Sequence, residues 1–262
     1  MDEFWAFVRK KEKHATMAEK LEEGLGDRWI HIAMDAVSRL IVAWNVERRT
    51  QKATDQLIAD VAARLEDPLD ALYTSDQHGP YKVAIDRRKQ GEEAERQQSA
   101  EAATVPAHQT KPGMVLATVK KTYRQGRAVQ VERRLEIGTA EDLQQRLDES
   151  PVSYKINTSF IERLNNTLRQ DGRRVTRKSM GFSKEPDLLE AQIVLQIAHY
   201  NLVRLHRGLT TTVKHADGST KKVRRTPAME AGLTPSRWSL LDLLAFKVSP
   251  LDTTPGVAAR AA

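Results

Sequence analysis

The stretch RWIHIAMDAVSRLIVAWNV, residues 28–46, decides the fold. Its two halves, Arg28–Met34 and Arg39–Val46, are rich in Ile, Val and Trp, residues that fit a pleated, half-buried surface. The four residues between them, Asp35–Ser38, leave room only for a tight link. The stretch predicts an antiparallel hairpin with Asp35 as its turn aspartate, a residue suited to bonding its own backbone two residues on.

Working outward, Phe4–Val8 has the same aromatic and β-favouring character and predicts a third antiparallel strand, separated from the hairpin by a polar stretch holding Gly24 and Gly26. On the other side Ala53, Leu57, Ile58, Val61 and Leu65 recur at helical spacing, and Pro68 ends that helix. LDALYTSD, residues 69–76, reads as a short strand entering a turn at Asp76–Gly79, with a further helix from near Tyr81. Three strands, a helix and a fourth strand imply an α/β fold in which a mixed sheet is covered by helices.

From 87 to 113 the chain loses periodicity and reads as a helix tail followed by an exposed insertion. MVLATVKKTY (114–123) and AVQVERRLEIG (128–138) are strand-like, with RQGR between them as a turn. After a helical or irregular stretch at Thr139–Ser150 and the helix that carries Glu162, Pro186 marks a break. Leu188–Arg207 reads as one long amphipathic helix with Leu189, Ile193, Ile197 and Tyr200 on a face. KKVRR, residues 221–225, reads as a flexible basic link before the end-piece TPAMEAGLTPSRW, a tether or equally a defined contact. The division expected is a core at 1–185 and a C-terminal helical extension with a basic tail at 186–262.

Composition narrows the function. In 262 residues, 42 Lys and Arg stand against 35 Asp and Glu, a formal charge of +7 that favours a polyanionic partner such as nucleic acid over an acidic small substrate. The absence of cysteine excludes disulfides and thiolate metal sites and fits a reducing cytoplasm. MDEFWAFVRKK at the start lacks the charge order of a signal peptide, and apolar runs such as LLDLLAF are too short to span a bilayer, so no membrane role is expected.

NTSFIERLNNTLRQDGRRVTRKS, residues 157–179, isolates one acid among amides and arginines. At helical period Ile161, Leu164 and Leu168 share one side, while Glu162, Asn165, Asn166 and Arg169 fall on another. The plain alternative is that Ser159 and Glu162 form a capping box, S-x-x-E, and merely close the helix start. Phosphodiester chemistry often uses two divalent metals held by carboxylates at strand ends and on a facing helix. Asp2 before the first strand, Asp76 after the fourth and Glu162 fit that pattern; an Asx-turn for Asp76 and a terminal acid without a role for Asp2 stand beside it. Arg163, Arg169, Arg173, Arg174, Arg177 and Lys178 follow Glu162 closely and would draw phosphate to that side, the alternative being a solvated helix face. The seven histidines show no zinc spacing; His78, two residues from Asp76, would touch a phosphate or order the turn. Trp5, Trp29 and Trp44 are read as sheet packing.

Taken together, MDEFWAFVRKK, GDRWIHIAMDAVSRLIVAW, YTSDQHGPY, SFIERLNNTLR, RRVTRKSMGFSK, YNLVRLHRGL and TPAMEAGL resemble, in order and wording, bacterial insertion-sequence transposases of the DDE type. The segments cover nearly the whole chain except the region around 92–112. The resemblance implies an RNase H-like core with a mixed five-stranded sheet flanked by helices, in which Asp2, Asp76 and Glu162 bind two Mg²⁺ ions, Mn²⁺ substituting. The acid matching Asp35 is not a ligand in that family. It implies cleavage at transposon ends and strand transfer into target DNA by a homodimer or higher oligomer, in the bacterial cytoplasm at the nucleoid. Arg163, Asn166, Arg169, Arg173, Arg174, Arg177 and Lys178 are the expected DNA contacts. Family members usually have residues before the DEFW segment, whereas here Met1 alone precedes Asp2, so a truncated, inactive DNA-binding remnant is the alternative expectation. An RNase H-like nuclease without strand joining is a third.

Overall fold

A computed structural model describes residues 1–21, 25–103, 113–214 and 218–247. The elements run β1 (Asp2–Val8), a 3₁₀ turn (Glu12–His14), α1 (Met17–Leu21), β2 (Gly26–Met34), β3 (Ile41–Glu47), α2 (Gln51–Ala62), β4 (Leu72–Ser75) and α3 (Gly79–Ala103). They continue with β5 (Val115–Arg124), β6 (Arg127–Ile137), α4 (Ala140–Glu149), α5 (Ser159–Asp171), a 3₁₀ turn (Arg173–Val175) and α6 (Pro186–Ala198). A π-helical turn (His199–Val203), β7 (His206–Lys214), β8 (Thr220–Arg225), α7 (Pro227–Glu230) and α8 (Leu240–Ala245) complete the order. No helix among the described residues is long and apolar enough to cross a membrane.

The hairpin forms as the sequence predicts, because Asp35 organises its turn. Its carboxylate accepts from Val37 N at 3.1 Å and Ser38 N at 2.8 Å, and Arg39 takes a positive φ of 64° to complete the reversal. β1 joins β2 antiparallel, with Asp2 opposite Ile32 and Glu3 opposite His31, and β2 joins β3 antiparallel.

The strands pair into three sheets, β1-β2-β3, β4-β5-β6 and β7-β8, with β4 parallel to β5 and β6 antiparallel to it. Where one five-stranded sheet is the expectation, two three-stranded sheets are found. They meet where the Met1 ammonium donates to the Thr74 carbonyl at 2.7 Å, at the start of β1 and near the end of β4.

Helices cover both faces of the first sheet. On one face Phe4, Ala6 and Val8 of β1 pack with Ile30 and Ile32 against Leu164 and Leu168 of α5 and Ile193 of α6. On the other, Leu57 and Ile58 of α2 pack with Tyr81 and Ile85 of α3, together with Leu116 of β5. Each fully buried leucine contributes about 1.5–3 kcal/mol, so α5 is held by Leu164 and Leu168 more than by any polar contact.

Three expectations need correction. The helix expected across Leu188–Arg207 starts at Pro186, whose missing N–H costs nothing at a first helical position. It then relaxes into the π-helical turn and stops at Arg204. KKVRR is not a flexible link: it lies in β8, paired antiparallel with β7, so the C-terminal region carries a β-ribbon as well as helices. The region expected as a helix tail plus insertion continues as α3 to Ala103, and 104–112 lie outside the described residues.

Candidate metal centre

Strand parity aims the first acid. Asp2 shares the side of β1 that carries Phe4, Ala6 and Val8, so it faces α5, while Glu3 points to the α3 side. β4 ends at Ser75, and the next residue, Asp76, makes an Asx turn by accepting from His78 N at 3.1 Å. Because the two sheets meet at these ends, single carboxylate oxygens of Asp2, Glu3 and Asp76 lie within 4.8 Å of one another.

Burial and mutual repulsion shift Asp2 and Asp76. Burial, followed by the Asp76 charge, pushes the Asp2 carboxyl up to about 6. Burial and the Glu3 charge likewise raise Asp76, offset in part by the His78 N–H. Glu3 is the most enclosed of the three but also the best partnered. Its Oε1 accepts from Arg49 Nε at 2.9 Å and pairs with the same guanidinium, and its Oε2 accepts from the buried Tyr81 hydroxyl at 2.9 Å. Burial and Glu3 hold the Tyr81 phenol well above its ordinary value, so it remains a donor. The His78 ring sits edge-on to Tyr81 at 5.6 Å, and burial lowers its pKa, keeping it neutral. It orders the turn.

α5 supplies the facing helix. Asn165 Nδ2 donates to Asp2 Oδ2 at 2.8 Å, and the Arg169 guanidinium lies 5.0 Å from the Phe4 ring centroid, where it feels the Asp2 charge. Glu162, one turn before Asn165, is engaged elsewhere: its Oε1 accepts from Lys121 Nζ of β5 and from the Thr158 hydroxyl, each at 2.5 Å. The capping box does not form; the N-cap is Thr158, and Ser159 Oγ turns to Asn157 Oδ1 instead. The structure thus brings Asp2 and Asp76 together and sets Glu162 on the same helix as the Asp2 partner, but outside the three-acid cluster, where Glu3 stands.

Of the expected DNA contacts, Arg163, Asn166, Arg173, Arg177 and Lys178 are exposed. Arg174 Nη1 is tied to the Leu188 carbonyl at 2.7 Å, and a Cβ at Gly181 would overlap the Arg173 side chain, which lies across it. Asn166 does not approach the acids; Asn165 does. The buried stripe of α5 is Ile161, Leu164, Asn165 and Leu168, and the second amide lies just outside it. Glu3 and Asn165 are therefore the residues missed by sequence reasoning. The signal for Asn165 was its spacing of four from Ile161; for Glu3 the sequence offers only its place beside Asp2.

No protein-family model, no curated protein and no solved structure matches this chain.

Proposed function

We propose that the protein is a metal-dependent polynucleotidyl transferase of the DDE transposase type, acting on DNA. The observation that carries this reading is the convergence of Asp2 and Asp76 at the meeting ends of β1 and β4, under a helix that carries Glu162, Asn165 and Arg169. The RNase H-like reading of the fold rests on the same junction: β3, β2, β1 and then β4, β5 would be the order of its five-stranded sheet.

The donor set fits a hard divalent cation. All three acids offer oxygen, and Asp2 is raised to about 6 first by burial and next by the Asp76 charge, a penalty that a bound cation would relieve. Asp2 and Asp76 would hold Mg²⁺ or Mn²⁺ with Glu162 completing the set; when bound, such ions activate the attacking oxygen and stabilise the leaving one. The residues of this chain do the rest. Asn165 holds the Asp2 carboxylate in one rotamer, the His78 backbone N–H fixes Asp76, and Arg169 places a cation against Asp2 from the helix side. Exposed Arg163, Arg173, Arg177 and Lys178 would hold the DNA backbone beside that centre.

Calorimetric titration of Mn²⁺ into the protein, Asp76→Asn and Glu162→Gln, followed by strand-transfer assays, tests the reading. Both variants should lose Mn²⁺ binding and cleavage while duplex binding persists. Loss of cleavage and DNA binding together in Glu162→Gln would refute the role given to that acid. The Lys121 pairing of Glu162 favours a second reading, a DNA-binding protein with a silent centre; unchanged Mn²⁺ titrations across the three proteins would select it.

A further inference from the structure

The β7–β8 ribbon presents a face that the acid centre does not use. Its register sets Thr210 opposite Arg224, Thr212 opposite Lys222 and Thr211 opposite Val223. Side chains alternate across a strand pair, so Thr210, Thr212, Lys222 and Arg224 share one face and Thr211, Val223 and Arg225 the other. Burial follows this division at these positions, the first four being exposed and the last three half-buried, while Val213 and Lys221, nearer the turn, are exposed on the second face.

The inner face is fastened to the body of the protein. Arg225 pairs with Glu230 at 3.3 Å, and His206, at the base of β7, lies edge-on to Tyr200 at 5.1 Å. Among the described residues no carboxylate pairs with Lys222 or Arg224, and neither strand contains an acid. A solvated strand face normally interleaves both signs of charge. Here Lys222 and Arg224 stand among threonine hydroxyls on a face whose base is fixed.

We infer that this outer face is a second DNA contact, in which Lys222 and Arg224 bind backbone phosphates and the Thr210 and Thr212 side chains line the approach. A two-stranded ribbon is of a size that the duplex major groove, about 12 Å wide, admits. Anchoring at the base means that little ordering is lost on binding. Directed at phosphates, these side chains supply affinity and orientation rather than base readout. The inference rests on the DNA reading proposed above, but it needs neither the metal nor cleavage.

Fluorescence anisotropy of a short labelled duplex, titrated in EDTA at several salt concentrations, tests it with Lys222→Gln/Arg224→Gln against the parent. The double variant should weaken binding on the order of tenfold and flatten the dependence of log K on log salt by about 2, one for each phosphate that the variant no longer neutralises. The control Arg87→Gln, an exposed cation on α3 paired with Asp55, should change neither. Unchanged affinity and slope in the double variant would overturn the inference, as would a parent chain that binds no duplex. So would intact duplex affinity with loss of binding to phosphatidylserine vesicles, which would reassign the face to a membrane surface. Ribbon-dependent binding in a protein that takes up no Mn²⁺ would uphold it while the catalytic reading fails.

Discussion

Replacing Asp2 with Asn should make the metal-free protein more stable at neutral pH, and the structure sets the size of the effect. Folding moves the Asp2 carboxyl from an ordinary 3.8 to about 6, chiefly by burial and next by the Asp76 charge. An acid raised in the folded state binds its proton more tightly there than in the unfolded chain. Stability therefore falls as pH rises from about 4 to about 6, and above that window the whole penalty is present. Two pH units at about 1.4 kcal/mol each give roughly 3 kcal/mol. Asparagine removes the charge, and its amide oxygen can replace only one of the two acceptor roles of Asp2, toward Glu3 N at 2.9 Å and Asn165 Nδ2 at 2.8 Å. The missing bond costs about 1 kcal/mol, leaving a gain of roughly 2 kcal/mol at pH 7 and a deficit of about 1 kcal/mol near pH 4. For a chain of this size the gain at pH 7 raises Tm by roughly 4–8 °C. Saturating Mn²⁺ should reverse the order, since a ligand at a hundred times its Kd adds about 2.7 kcal/mol to the parent and not to the variant. Urea denaturation at both pH values, in EDTA and in Mn²⁺, reads the stability differences, and a thermal melt at pH 7 reads the Tm shift. Equal destabilisation of Asp2→Asn at pH 4 and pH 7 would refute the reasoning, because it would mean that folding places no penalty on the ionised Asp2 carboxyl.

Two further substitutions probe the neighbours of the centre. Lys121→Met releases Glu162 from an ion pair that water partly reaches, worth about 1 kcal/mol or less, so Mn²⁺ affinity by calorimetry should rise by up to about fivefold with the urea midpoint nearly unchanged; a fall in affinity would show that Lys121 positions the acid. Arg49→Ala leaves the Glu3 carboxylate buried with only the Tyr81 hydroxyl, which should cost about 3 kcal/mol in urea denaturation, and Glu3→Gln in that background should recover much of it. Failure to recover would trace the destabilisation to packing of the guanidinium on Trp29.

The parts of the fold that were legible are those where a buried face imposes a period. β2 and β3 read from their β-branched and aromatic runs, and α2 from Ala53, Leu57, Ile58 and Val61, all of which are buried. Asp76 was legible as a residue at a strand end; its Asx turn forms, and that turn presents the carboxylate to Asp2. β8 was not legible. Its outer face is solvent and its inner face half-buried, so KKVRR shows no apolar alternation and has the composition of a tether; only pairing with the β-branched run Thr210–Val213 makes it a strand. Asn165 and Asn166 are adjacent in sequence, and one step of helix rotation separates an amide that holds Asp2 from one in water.

The competition between Glu3 and Glu162 for the third place at the centre is decided by what each must give up. Glu3 has both oxygens occupied, by Arg49 and Tyr81, with its side chain only 2% exposed. Releasing it would strand the buried Tyr81 hydroxyl and break the Arg49 pair at the enclosed carboxylate, at a cost of about 3 kcal/mol. Glu162 is 40% exposed and gives up a lysine and a threonine hydroxyl at a site that water reaches, for about 1 kcal/mol or less. The charge left uncompensated belongs to Asp2 and Asp76, which between them accept from one side-chain amide and two backbone N–H groups. A cation drawn to those two acids, as the proposed function has it, would therefore recruit a third carboxylate most cheaply from α5. Glu3 is nearer, yet it serves the centre better as a fixed negative charge that raises Asp76 and strengthens the pull on the cation.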